Sequence, residues 1–183
     1  SPAVIVAAAG AHRLPKLDRA VAAGEQFDWS GHAVQVFDVS GHTEGHVAYY
    51  IADAGAVFTG DSLMALGCGR LFEGNAAQMW DSLGRIKALP GETLVCSGHE
   101  YTEANAAFAV TIEPENGDLQ RRVAEIKAAR ARGEATVPSL LSLEMATNPF
   151  LRADLPQVKA GLGMEGAADA EVFAEIRARK DSF

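Results

Sequence analysis

Three apolar runs in this chain end in a small residue, a glycine and then a side chain that can ligate a metal. They are VQVFDVSGHT (Val34–Thr43), AVFTGDS (Ala56–Ser62) and TLVCSGHE (Thr93–Glu100), and they deliver His42, Asp61 and His99. Taken singly, each residue has a plain reading: a turn histidine, an aspartate capping the next segment, a buried and satisfied imidazole. Taken together they point to a metal centre. Two imidazoles and a carboxylate suit Zn, Fe or Mn and do not choose among them. His46 stands four residues after His42, the spacing that puts two ligands on one helical face. Gly45 and the run Val47–Ile51 argue against a helix, so His46 is expected to start a strand and to hydrogen-bond behind a ligand. His12 and His32 lie in loop-like contexts. Cys68, between Gly67 and Gly69, has no base assignable to it and reads as a buried thiol. Arg121, Arg122 and Arg132 alternate with Ala and Glu and read as a solvated helix face.

The elements that must carry these residues change character along the chain. Residues 1–100 read as β-rich. Val4–Ala8 is strand-like, and Phe27 and Trp29 lead through a Ser30-Gly31 turn into Ala33–Val39 as a hairpin. Val47–Ile51 and Ala56–Thr59 pair across Asp53-Ala54-Gly55. Met79, Leu83 and Ile86 recur at helical spacing between an Asn75 cap and Pro90, giving an amphipathic helix. Thr93–Cys96 is a further strand. From Tyr101 the pattern is helical: alanine-rich 102–112, then a helix through Leu119, Val123 and Ile126 that stops at Gly133. A short helix over Ser139–Ala146 and a last one near 168–180 complete the pattern.

With 183 residues, 48% hydrophobic and 22% charged, the composition is that of a globular protein. A net charge of −8 argues against nucleic acid as a partner while leaving room for a local basic pocket. No apolar run approaches the ~20 residues of a bilayer span. The opening SPAVIVAAAG lacks a basic n-region, which argues against a secretory leader. Cys68 and Cys96 are far apart and read as reduced thiols of a cytoplasmic protein.

The strings S-G-H-T-E-G-H (40–46), F-T-G-D-S-L (58–63), G-C-G-R-L-F-E-G (67–74), S-G-H-E-Y-T (97–102), A-T-V-P-S-L (135–140), T-N-P-F-L-R (147–152) and R-A-R-K-D-S-F (177–183) resemble the metallo-β-lactamase superfamily, and within it glyoxalase II, the hydroxyacylglutathione hydrolases. The G-H-T and G-D pieces are shared across the superfamily. G-C-G-R-L-F-E-G, G-H-E-Y, N-P-F-L-R and the terminal K-D-x-F are specific to glyoxalase II. The resemblance implies an α+β chain: a partial αββα sandwich over 1–103, then an all-α, glutathione-binding domain over 104–183. It implies two divalent metal ions, zinc first, with iron or manganese as alternatives. His42 would serve one ion, His99 the other, and Asp61 would bridge both, positioning a hydroxide that attacks the thioester carbonyl. Arg70, Phe72, Tyr101, Arg177 and Lys180 would contact glutathione; Phe72 stands where some relatives carry a tyrosine, and a phenyl ring cannot donate that hydroxyl bond. The expected reaction is hydrolysis of S-2-hydroxyacylglutathione thioesters in methylglyoxal detoxification, by a monomer without membrane attachment. The family's T-H-x-H-x-D-H string is not in this sequence. The alternatives that stay open are an inactive fragment or glutathione-binding remnant, and another superfamily hydrolase such as a nuclease or lactonase.

Overall fold

The computed structural model describes residues 4–9 and 16–183; His12 lies outside them. A mixed sheet in the first half, followed by helices, makes the chain α+β. Its strands are β3 (Gln26–Trp29), β4 (His32–Asp38), β5 (Val47–Ile51), β6 (Ala56–Gly60), β9 (Leu94–Ser97) and β10 (Ser139–Leu140), in the spatial order β10-β9-β6-β5-β4-β3. The β3–β4 hairpin turns on Ser30 (φ 55°) and Gly31 (φ 88°), the two consecutive positive φ values that a tight two-residue turn demands. β5 is antiparallel to both β4 and β6, and β9 runs parallel to β6. A short parallel pair, β1 (Ile5–Ala7) with β2 (Arg19–Val21), and a tight hairpin, β7 (Leu63–Met64) with β8 (Gly67–Cys68), complete the β structure.

Side-chain alternation divides the sheet into two faces. On one, Ala48, Tyr50, Val57 and Val95 meet Met79, Leu83 and Ile86 of α1 (Ala76–Lys87), and the same cluster continues through Phe108, Phe150, Phe173 and Ile176. These last come from α2 (Thr102–Ile112), the 3-10 turn Pro149–Leu151 and α6 (Asp169–Asp181), so the strands and the helices share one apolar core. On the other face Phe27, Val34, Val36 and Ile51 pack with Val21, while Trp29 and Phe58 stand exposed. Asn75 caps α1 by accepting from the Gln78 backbone N–H, as its sequence position implies.

Two sequence expectations shift, and one helix is new. Ser139 and Leu140 are not helical: they extend the sheet beside β9, and α4 begins at Leu141 (Leu141–Thr147). α5 (Pro156–Leu162) has no clear periodic signal; Pro156 in its first turn and Gly163 at φ 71° set its ends. Arg122, on α3 (Gly117–Ala131), is not on a solvated face. It is 3% exposed and pairs with Glu144, itself fully buried, and also donates to Thr147 Oγ1 at 2.6 Å. The helix there turns one arginine inward against α4 while Arg121 stays outside on Asp118.

Removing one partner of a buried ion pair strands the other charge. Arg122→Ala is therefore expected to cost about 3–5 kcal/mol, read as a lowered urea midpoint. Cys68 gives a pH signature. Burial pushes its thiol from the usual 9.0 up to about 11, against the lowering influence of the Arg177 guanidinium. The unfolded chain releases that proton first, so the associated stability is full below about 9 and is lost as pH rises towards about 11. The urea midpoint should fall across that window, and Cys68→Ala should flatten the fall.

Candidate active site

The glycines that end β6 and β9 set the position of Asp61. Gly60 turns the chain at φ 53°, in the left-handed region that favours glycine. A Cβ on Gly98 would sit 2.6 Å from Asp61 Oδ1, so only a residue without a side chain lets the two strand ends approach. Asp61 Oδ1 then lies 3.3 Å from His99 Nε2, and Oδ2 lies 3.7 Å from His42 Nε2. One carboxylate therefore stands between two imidazoles, one oxygen towards each.

His42 is held from behind. Its Nδ1 lies 2.7 Å from the Arg70 carbonyl, an acceptor, so Nδ1 carries the proton and Nε2 presents its lone pair to the Asp61 side. Tyr101 stacks on His99 at 4.7 Å between ring centroids, with 10° between the planes. Phe72 lies 4.9 Å from the His42 ring. His46 immediately precedes β5, as expected. Desolvation lowers its pKa first, and proximity to His42 adds to this, outweighing the opposing pull of Asp61. The imidazole is thus held neutral, with its Nδ1 buried and unpartnered. The expectation that it hydrogen-bonds behind a ligand is not met on that nitrogen.

All eight candidate residues face one cavity of about 510 Å³: His42, Asp61, His99, Arg70, Phe72, Tyr101, Arg177 and Lys180. The cationic members differ in freedom. Arg70 is exposed, 4.0 Å from Asp181. Lys180 donates to the Ala104 carbonyl and lies 5.2 Å and 5.0 Å from the Phe108 and Phe183 ring centroids. Desolvation, then Arg177 and Arg70, lower its pKa. Arg177 is 5% exposed, not solvated as its place at a helix end suggests; it donates to the Cys68 carbonyl at 3.0 Å and to Asp181 at 2.9 Å. Arg70, Arg177 and Lys180 line the cavity with Asp181, which pairs with the two arginines, and give it a positive wall in a chain of net charge −8. The sequence reading quoted Asp181 within K-D-x-F but gave it no role in the site, although its i, i+4 spacing from Arg177 was a usable signal. It gave no role to Phe183 either and omitted Asn105; the places of both in the wall are set by tertiary packing.

The donor set suits a metal: two imidazole nitrogens and a shared carboxylate, one imidazole oriented by the Arg70 carbonyl. The count is short. Among the described residues no group of three His, Cys, Asp or Glu side chains is placed to hold an ion.

Comparison with known proteins places the chain. Residues 11–99 match the metallo-beta-lactamase superfamily, and residues 100–183 match the hydroxyacylglutathione hydrolase C-terminus. A hydroxyacylglutathione hydrolase of Roseobacter denitrificans is 66% identical over 97% of this chain and 69% of its own length. One from Ruegeria pomeroyi is 63% identical over 100% of this chain and 71% of its own length. Among solved structures, ETHE1 from Myxococcus xanthus is 26% identical, with a TM-score of 0.56 over 88% of this chain and 52% of that one. The B3 metallo-beta-lactamase BLEG-1 shares the fold, with a TM-score of 0.57 and 20% identity over 81% of this chain and 65% of that one. The chain belongs to the hydroxyacylglutathione hydrolases, thioester hydrolases of the metallo-β-lactamase superfamily.

Proposed function

We propose that the cavity hydrolyses S-2-hydroxyacylglutathione thioesters, S-D-lactoylglutathione to D-lactate and glutathione, as a step of methylglyoxal detoxification. The observation that carries this reading is one cavity with a shared carboxylate at its floor and a cationic wall beside it. A glutathione thioester brings two carboxylates and an electrophilic carbonyl, the two features that such a cavity pairs. His42, Asp61 and His99 would hold two divalent ions, zinc first, together with ligands from outside the described residues. Bound there, the ions would supply Lewis acidity and nucleophilic water at neutral pH.

The chain's own residues divide the remaining work. Asp61 offers one oxygen to each side and fixes the separation of the two half-sites. The Arg70 carbonyl accepts from His42 Nδ1 and orients the ring so that Nε2 faces Asp61. Arg70 and Lys180 would take the glutathione carboxylates, with Arg177 adding charge from behind and Phe72 and Tyr101 also contacting the glutathione. The departing thiolate belongs to a thiol of pKa ~8.5, so no strong general acid is required. The short donor count favours a second reading, a glutathione-binding remnant without turnover.

The deciding measurement is turnover of S-D-lactoylglutathione and bound metal per chain, for these 183 residues and for a form extended to the length of the relatives. Hydrolysis and about two metals in the extended form support the first reading; glutathione binding without either supports the second. In the active form, Asp61→Ala should remove both metals and activity together while the fold persists; retention of both metals would refute the bridging role. Gly98→Ala pushes on Asp61 Oδ1 and should weaken metal on the His99 side first, seen as loss of one equivalent before the other. Lys180→Ala should raise KM roughly tenfold, the size of one charged hydrogen bond, with kcat little changed.

A further inference from the structure

We propose that Asn148 is a positioning residue: with Glu144 and Asn105 it clamps the turn that follows Asp61, and so sets the Arg70 carbonyl against His42. The turn is the Met64–Gly67 tip of the β7–β8 hairpin, seven residues in all from Asp61 to Gly67 along the chain. Its polar backbone groups are taken by side chains from the helical half. Asn148 Nδ2 donates to the Met64 and Gly67 carbonyls, both at 3.1 Å. Asn105 Nδ2 donates to the Ala65 carbonyl at 3.0 Å. The Leu66 N–H donates to Glu144 Oε2 at 2.8 Å. Leu66 itself sits at φ 57°, unusual for a branched side chain, and persists because its surroundings over-determine it. Its side chain is fully buried among Ala106, Ala109, Leu119 and Ile126 of the helices.

The hairpin leads directly to the site. Gly69 N–H donates back to the Ser62 carbonyl at 3.2 Å, and the next residue, Arg70, presents the carbonyl that accepts from His42 Nδ1. The route from Asn148 to His42 therefore runs through one short stretch of backbone, and Asn148 does not line the cavity. Loss of the clamp leaves the turn free to relax out of its strained form. The Arg70 carbonyl then shifts, and the imidazole is no longer confined to one tautomer and one orientation. The proposal rests on the metal-ligand reading of His42 only for its consequence, not for the contact itself.

Asn148→Ser tests it, because serine keeps an oxygen to accept from the Phe150 N–H, as Asn148 does, while losing the reach to the two carbonyls. Asn105→Ser is the second variant, and it decides alone where Asn148→Ser does not fold. Glu113→Gln is the control: it weakens the buried Arg152–Glu113 pair in the same half without touching the hairpin. The readout is hydrogen exchange of the His42 Nδ1 proton by NMR in the metal-free 183-residue chain, well below its unfolding temperature. Exchange should accelerate about tenfold or more in the asparagine variants and stay unchanged in Glu113→Gln. Unchanged exchange in the asparagine variants, or equal acceleration in the control, overturns the proposal. Zinc titration of the same proteins separates the two readings: accelerated exchange with a roughly tenfold to hundredfold loss of affinity supports both. Accelerated exchange with affinity intact supports the clamp and overturns the ligand role of His42.

Discussion

Strand direction is the constraint on which the site depends. β6 and β9 run parallel, and β4, two antiparallel steps from β6, runs the same way. Three strands pointing in one direction finish at one edge of the sheet, and each is followed by one of His42, Asp61 and His99. Had β9 paired antiparallel to β6, His99 would leave the opposite edge, a strand's length away. The parallel pairing needs a long crossover, and α1 supplies it while covering the sheet's apolar face. One helix thus satisfies the topology and buries the core.

The helical half does more than add a wall to the cavity. Glu144 is fully buried and accepts from Arg122, Ser139 Oγ, the Leu66 N–H and Asn148. A carboxylate removed from water is tolerable only when its lone pairs are occupied, and here four donors occupy them. Those donors come from α3, the sheet edge, the hairpin and the end of α4. The network therefore specifies how these elements meet more than it adds to net stability, since apolar groups of similar volume would fill the same space at less cost.

Much of this was legible in the sequence because the signals were local. The Ser30-Gly31 turn, the Asn75 cap and the strand–glycine–ligand endings each announce themselves within a few residues, and the structure has the corresponding hairpin, helix and edge. What was not legible depends on partners far along the chain. Arg122 reads as solvated because its neighbours on α3 are polar; only Glu144, 22 residues away, reveals that it turns inward. Ser139 and Leu140 follow helical neighbours in pattern but are claimed by the free edge of β9. The burial of Arg177 is likewise decided by Cys68, 109 residues distant, and by the ring of Phe150 beneath it. In the candidate site the convergence of His42, Asp61 and His99 was visible, whereas the shape of the wall was not.

The close approach of backbone around Asp61 divides the cavity into two kinds of surface. On the Asp61 and His42 side the neighbours are Gly60, Gly69 and Gly98, where an added Cβ would meet a ring of His46, a ring of His42 or the carboxylate itself. That side has no room for variation. Around it stand Phe72, Tyr101 and Phe183, exposed aromatics whose rings rest against His42, His99 and Phe108 respectively. Side-chain change in the cavity is therefore easier at those three exposed rings than at the glycine floor, where any added Cβ collides with the residues around Asp61.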